Sequence, residues 1–149
     1  MKVWIDADAC PKAVKEIIFR AAQKRGANVV VVANKAMHVP DSTHIQMIQV
    51  PGGPDVADDY IVEHAASGDV AITADIPLAA RLVPEKVAVL TPRGEELDAE
   101  NVRERLSMRD FMTDLRDAGV MTGGPKAFSE RDKNQFANAL DRTLTRSGH

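Results

Sequence analysis

The chain has 149 residues, of which 44% are hydrophobic and 28% charged, and this composition suits one globular domain built around one core. A net charge of -3 excludes a chain-wide attraction to nucleic acid, and a single cysteine excludes an intramolecular disulfide. No apolar stretch approaches the roughly 20 residues of a membrane span, and the first apolar run is too short for a signal peptide, so we expect a cytoplasmic protein without membrane contact.

The first half of the chain alternates short apolar runs with helical patterns. A strand predicted over 2–5 is followed by a helix over 12–24, in which apolar side chains recur at helical spacing and Pro11 fits the first helical position. The β-branched run over 29–33 predicts a strand buried on both faces. A weaker third strand is predicted over 45–50.

The same alternation continues after a Gly-Pro loop at 51–54. The pattern predicts a helix over 55–66, a strand over 70–73, a short helix over 77–82 and a fifth strand over 87–90. From about residue 95 the chain is predicted to be helical.

The two helices predicted in this last part cover 101–118 and 129–145. Strands that alternate with helices favour a parallel sheet. The sequence therefore predicts a single α/β domain over 1–149, folded as a three-layer sandwich with a mostly parallel five-stranded sheet and helices on both faces. Such sheets bind ligands outside the carboxyl ends of their strands.

Acidic side chains are concentrated at that predicted edge. Asp6 and Asp8 follow the first strand and Asp75 follows the fourth, while Asp58 and Asp59 lie in the first turn of the helix after the Gly-Pro loop. Crowded carboxylates repel one another, and Mg²⁺ or Mn²⁺ prefers oxygen ligands of this kind. We therefore predict that these five aspartates form a Mg²⁺ or Mn²⁺ site, with all of them except Asp8 as catalytic residues.

Helix capping is the alternative explanation for several of these aspartates. Asp8, Asp55 and Asp75 each precede a predicted helix and could accept hydrogen bonds from its first turn. Asp6 ends a strand and has no turn of its own to cap, so the joint pattern favours a metal site. In that interpretation Asp8 and Asp55 are outer ligands or orient water molecules.

Polar and basic residues near the same edge are candidates for substrate binding. Asn34 follows the second strand, and Thr73 ends the fourth, where its hydroxyl can hydrogen bond a ligand carboxylate or an attacking water. The candidates for binding substrate phosphates are Arg93, Lys126 and Arg131.

Four segments of the chain resemble a known family. They are VWIDADACP at 3–11, PGGPDVADD at 51–59, ITADIPLA at 72–79 and TGGP at 122–125. Through these segments the chain resembles the uncharacterised bacterial YaiI/YqxD family over nearly its whole length. This resemblance implies membership of a family without a settled activity.

More distantly, the layout is similar to PIN-like nuclease domains. In those domains an aspartate ends the first strand, an acidic residue lies on a middle helix, and Thr/Ser-x-Asp follows the fourth strand. Asp6, then Asp58 or Asp59, then Thr73 with Asp75 occupy these places in order. The resemblance implies a PIN-like fold and nuclease activity at the acidic cluster.

The favoured function is therefore a metal-dependent phosphodiesterase, a nuclease acting on RNA. No Ser-His pairing is evident, and Cys10 is expected to be a packed thiol because neighbouring carboxylates oppose a thiolate. One alternative is a non-catalytic nucleotide- or RNA-binding module. Another is a haloacid-dehalogenase-type phosphatase, which also begins with a strand ending in Asp-x-Asp but needs its late acidic pair after Thr73. The oligomeric state is not predicted.

Overall fold

Strands and helices alternate along most of the polypeptide in the computed structural model, which describes residues 1–53, 55–108 and 128–146. The elements are β1 (Lys2–Asp6), α1 (Lys12–Arg25), β2 (Asn28–Ala33), β3 (Ile45–Gln49), α2 (Val56–His64), β4 (Val70–Ile72), α3 (Ile76–Leu82), β5 (Ala88–Leu90), β6 (Glu96–Leu97), α4 (residues 101–108) and α5 (Glu130–Arg146). Within the described ranges the strands form a six-stranded sheet in the order β3-β2-β1-β4-β5-β6. All neighbours are parallel except β5 and β6. The predicted α/β class and mostly parallel sheet are confirmed.

The predicted number of five strands was wrong, because a short sixth strand extends the sheet beyond β5. This strand has two residues and runs antiparallel to β5. The intervening turn is closed by the Thr91 N–H, which donates to the Glu95 carbonyl oxygen at 2.8 Å. Two residues are too few to show an alternating hydrophobic pattern, so periodicity could not predict this strand. Its pairing with β5 follows from the closure of the turn.

The two faces of the sheet are covered by different helices. Val3 and Ile5 of β1 pack in one core with α1 and α5, which contributes Phe136. Trp4 points to the opposite core, where α2 and α3 pack and α4 contributes Val102. Because successive strand residues face opposite sides, the sheet lies between two helical layers, as the sequence predicts.

Helix boundaries follow local signals where the structure describes them. α1 ends at Gly26, whose φ of +68° is a left-handed conformation that favours glycine. The helix predicted over 101–118 is observed through 101–108, while 109–118 and Lys126 lie outside the described residues. No helix in the described ranges is long and apolar enough to cross a membrane. The one-domain organisation and the PIN-like assignment stay predictions.

The strand register brings the carboxyl ends of the central strands together. Ile5 of β1 pairs with Ile72 of β4, so the next residues, Asp6 and Thr73, lie side by side. On the other side of β1, Asp6 pairs with Val32, two residues before Asn34. These central strand ends form one edge of the sheet.

Candidate metal centre

Three carboxylates from three different elements meet at this edge. Asp6 ends β1, Asp58 lies in the first turn of α2, and Asp75 immediately precedes α3. One oxygen of each carboxylate lies within 4.8 Å of the other two. Oxygen ligands 2.0–2.6 Å from a shared divalent cation lie up to about 5 Å apart, so the spacing suits a metal site.

The three carboxylates line a pocket of about 220 Å³. Asp8 and Asp55 also line this pocket, and Asn34 lines it from the end of β2. The structure therefore brings together most of the residues predicted from the strand ends and the α2 turn.

Thr73 connects two of the three carboxylate residues. Its hydroxyl donates to Asp6 Oδ2 at 2.9 Å and accepts from the Asp75 backbone N–H at 2.9 Å. Thr73 is 1% exposed and Asp6 4% exposed, so water has little access to these bonds. Asp75 also caps α3, because its Oδ1 accepts from the Leu78 N–H at 3.2 Å. Capping and membership of the cluster are therefore compatible at Asp75.

Asp69 is a buried carboxylate whose oxygens accept hydrogen bonds from three donors of the protein. It lies at the opposite edge of the sheet and accepts from the Lys2 N–H at 3.0 Å, the Trp4 indole N–H at 3.0 Å and the Ala66 N–H at 2.9 Å. Asp6, by contrast, is surrounded by other carboxylates and is held by a hydroxyl. Asp6 therefore differs from Asp69, whose carboxylate is satisfied by hydrogen-bond donors and lies outside this group of carboxylates.

The cluster carries an electrostatic cost in the folded chain. Burial, followed by the charges of Asp75, Asp6 and Asp55, raises the pKa of Asp58 to about 6, although the charge of Arg81 opposes this shift. Burial also raises the pKa of Asp6; the hydrogen bond from Thr73 opposes this, and Asp75 and Asp8 add to it. A bound cation would offset this repulsion.

Asp55 occupies the position before α2 in an unusual backbone conformation. Its φ is +64°, in the left-handed region that non-glycine residues rarely adopt. Its side chain makes no capping hydrogen bond to the helix, so the capping interpretation does not explain it. The strained backbone directs the chain from the Gly-Pro loop into α2 beside the pocket.

Asp8 and Asn34 join the end of β1 to the end of β2. Asp8 is exposed in the short 3-10 turn after β1, and its Oδ2 accepts from the Asn34 backbone N–H at 3.4 Å. The Asn34 Oδ1 atom is buried and accepts no hydrogen bond within the described part of the chain. An amide oxygen without a donor, in a residue that lines an acidic pocket, is compatible with a cation ligand.

Asp59 points away from the other four predicted ligands. Its Oδ1 pairs with Arg81 Nη1 at 2.8 Å on the surface between α2 and α3. Adjacent helical residues project about 100° apart, so Asp58 and Asp59 cannot both face the same pocket. The structure places Asp58 in the cluster and Asp59 beside a cation of the chain itself.

The predicted phosphate-binding residues are not gathered at the acidic pocket. Arg93 lies in the β5–β6 turn and pairs with Asp132 at 2.9 Å, Arg131 is exposed on α5, and Lys126 lies outside the described residues. Arg93 does line a second cleft that adjoins the acidic pocket, together with Arg105 of α4. Arg105 could not be predicted from the sequence, because the orientation of α4 depends on tertiary packing and leaves no local pattern.

Cys10 is buried in the core against β1 and α1. Burial raises the pKa of its thiol to about 12, and although Lys15 opposes this shift, Asp6 adds to it. The thiolate that a cysteine nucleophile requires is therefore strongly disfavoured. The structure agrees with the predicted role of Cys10 as a packed residue.

The fold and the site together define a class: an α/β protein with acidic residues clustered at the carboxyl edge of a mostly parallel sheet. Within this class the chain belongs to the YaiI/YqxD family, since the model described as "Uncharacterized BCR, YaiI/YqxD family" matches residues 4–146. The family membership inferred from the sequence segments is thereby confirmed.

Relatives in several bacteria match almost end to end. A UPF0178 protein of Bordetella petrii is 56% identical over 147 residues, which cover 99% of this chain and 98% of the relative. A UPF0178 protein of Pseudomonas fluorescens is 55% identical over 146 residues, covering 98% of this chain and 97% of the relative. No solved structure matches the chain.

Proposed function

We propose that the chain is a metal-dependent phosphodiesterase, with Mg²⁺ or Mn²⁺ held by the carboxylates of Asp6, Asp58 and Asp75. The observation that carries this proposal is the convergence of three carboxylate oxygens, from three elements, within 4.8 Å of one another. Clustering of these like charges lowers stability unless a cation or protons neutralise them. The cluster is thus better explained by a ligand than by the fold.

The residues of the pocket fit a hard divalent cation. The candidate ligands are carboxylate oxygens, with the amide oxygen of Asn34 in the same pocket. Magnesium and manganese prefer such oxygens, whereas zinc and copper sites use imidazole or thiolate more often. Cys10 is the single thiol of the sequence, and it is held protonated in the core.

Each side chain has a separate task in this proposal. Thr73 fixes the Asp6 carboxylate through Oδ2, which leaves the other oxygen available as a ligand. Asp58 and Asp75 complete the set, and Asp8 orients groups at the rim of the pocket. When bound, the cation supplies Lewis-acid chemistry: it activates water and stabilises the charge on the departing oxygen of a phosphodiester.

The proposed substrates are the phosphodiesters of nucleic acid, and RNA is the favoured one. The cation would supply the positive charge that the chain as a whole lacks, since its net charge is -3. Bound cations would therefore add to the attraction of a polyanion at this pocket. RNA and DNA share the phosphodiester and are distinguished in the assay below.

A cleavage assay with a matched pair of neighbouring variants tests this proposal. Single-stranded RNA and DNA are incubated with Mn²⁺ and the wild-type protein, Asp58→Asn or Asp59→Asn. We expect Asp58→Asn to lower the cleavage rate at least about 100-fold. In other metal sites, loss of a residue that only hydrogen bonds a ligand already lowers metal affinity or activity about 10–100-fold. Asp59→Asn makes the same charge change outside the cluster and should stay close to wild type.

Two outcomes would contradict the proposal. Equal rates for Asp58→Asn and Asp59→Asn would show that the cluster does not catalyse the reaction, and activity that survives in identically purified Asp6→Asn would indicate a contaminating nuclease. Tight Mn²⁺ binding without cleavage of any tested substrate would instead favour the non-catalytic nucleotide- or RNA-binding module.

A further inference from the structure

A second cleft opens directly beside the acidic pocket. It has a volume of about 810 Å³, and Asp8 and Ala9 line both cavities. This volume is in the range of known small-molecule sites, roughly 300–1,000 Å³. A ligand that reaches the carboxylates can therefore extend into this cleft.

The lining of the cleft combines apolar surface with two guanidinium groups. Ile76, Pro92 and Phe128 contribute apolar surface, and Arg93 and Arg105 contribute the charges. Apolar and aromatic surfaces bind the faces of nucleobases, and guanidinium groups bind phosphate through paired hydrogen bonds. This combination suits a nucleotide better than a purely apolar ligand or an isolated anion.

Both guanidinium groups are held by ion pairs with carboxylates. Arg105 pairs with Glu95, and Arg93 pairs with Asp132. In the Arg105–Glu95 pair the side chains are 48% and 37% exposed, and ion pairs at such exposure contribute little to stability. A phosphate oxygen can therefore replace the Glu95 oxygen at Arg105 at small cost.

Glu95 places its carboxylate in the cleft beside Arg105. One of its oxygens pairs with Arg105, while Oε1 is buried and has no hydrogen-bond partner in the described part of the chain. Because this carboxylate and a phosphate compete for the same guanidinium, removing the charge of Glu95 should favour phosphate binding.

We propose that this cleft binds the nucleoside adjoining the phosphodiester at the acidic cluster, with its base on the apolar surface and a neighbouring phosphate at Arg105 and Arg93. A base enters such a cleft only when it is unpaired, so the ligand is a single-stranded nucleic acid rather than a duplex. The inference rests on the proposed function for the position of the scissile phosphate.

Fluorescence anisotropy with dye-labelled hexanucleotides tests the cleft. Single-stranded RNA, single-stranded DNA and a duplex of the same sequence are titrated in EDTA, which prevents metal-dependent cleavage. We expect the single strands to bind at least about tenfold more tightly than the duplex. Phe128→Ala should weaken binding roughly tenfold, as expected for loss of one stacked base.

The arginine variants provide the matched control. Arg105→Ala should weaken binding and reduce the slope of log affinity against log salt by about 0.7, the value for one phosphate contact on a single strand. Glu95→Gln should strengthen binding, because it releases Arg105. Arg103→Ala removes the same charge from the same helix but lies outside this cleft, and it should leave binding unchanged.

Three results would contradict the binding of a single-stranded nucleotide in this cleft. They are equal affinity for duplex and single strand, an equal effect of Arg103→Ala and Arg105→Ala on affinity, and no binding of any hexanucleotide. The titration contains no metal, so the two proposals can fail separately. Hexanucleotide binding by a protein that does not bind Mn²⁺ would refute the proposed metal-dependent function but not nucleotide binding in the cleft. Mn²⁺ binding without hexanucleotide binding would refute nucleotide binding in the cleft but not the metal site.

Discussion

Asp58 is the residue whose ionisation differs most clearly between the unfolded chain and the folded cluster. Its carboxyl has an ordinary pKa of 3.8, and burial followed by the charges of Asp75, Asp6 and Asp55 raises the pKa to about 6. Between these two values the folded chain binds the proton more tightly than the unfolded chain does. The contribution of Asp58 to the free energy of unfolding must therefore fall as pH rises through this interval.

A pH series without metal measures this effect. In EDTA, we expect the contribution of Asp58 to the free energy of unfolding of the wild type to decrease from about pH 4 to about pH 6. Above about pH 6 this contribution should stay constant. Asp58→Asn should reduce the slope and stabilise the protein at pH 7 by on the order of 1 kcal/mol, after allowance for solvent screening. Part of the slope should remain, because the pKa of Asp6 is raised as well.

Urea unfolding at fixed pH values gives these free energies directly, with Asp59→Asn as the control for the charge change. A difference in stability between the wild type and Asp58→Asn that does not change from pH 4 to pH 6 would contradict the electrostatic account of the cluster.

At the scale of elements, the turn between β5 and β6 is fixed against α5 by Gly94. A Cβ atom at Gly94 would lie 2.6 Å from the Gln135 carbonyl oxygen and 2.9 Å from the Phe136 nitrogen. The φ of Gly94 is +87°, which disfavours other residues independently of this contact. The approach of backbone to backbone sets the position of the turn that presents Arg93.

Replacing Gly94 tests whether this contact positions the turn. Gly94→Ala should lower the free energy of unfolding by more than about 2 kcal/mol, because conformational strain adds to a clash with backbone atoms. Gly68→Ala is the matched control: its φ is +92° but nothing lies within 4 Å of the added Cβ, so only the strain of about 1 kcal/mol is expected. Equal costs in thermal or urea unfolding would show that the turn does not depend on the contact.

The elements also show what the sequence could predict and what it could not. The five longer strands were predicted with bounds correct to within about a residue or two, most of them from apolar runs, although β3 contains two glutamines. The choice between Asp58 and Asp59 was not predictable, because it depends on how α2 is rotated against the sheet. Likewise, Arg105 lies beside the site through the packing of α4, which no local pattern records.

Across the whole molecule, the sequence pattern did predict the edge of the sheet at which the acidic side chains gather. Alternating strands and helices place the ends of β1, β2 and β4 at one edge, and Asp6, Asn34 and Asp75 line the same pocket there. The neighbouring cleft with Arg93 and Arg105 was not predicted, because its walls come from elements far apart in the sequence. Cation binding at the pocket therefore decides between the metal-site interpretation and a structural role for the cluster.

The most direct test is equilibrium binding of Mn²⁺, measured by electron paramagnetic resonance of the free ion in titrations of four proteins. The wild type and Asp59→Asn should bind Mn²⁺ with similar affinity, whereas Asp6→Asn and Asp58→Asn should bind at least about tenfold more weakly. No Mn²⁺ bound by the wild type at millimolar concentrations, or equal binding by Asp58→Asn and Asp59→Asn, would contradict a metal site formed by Asp6, Asp58 and Asp75.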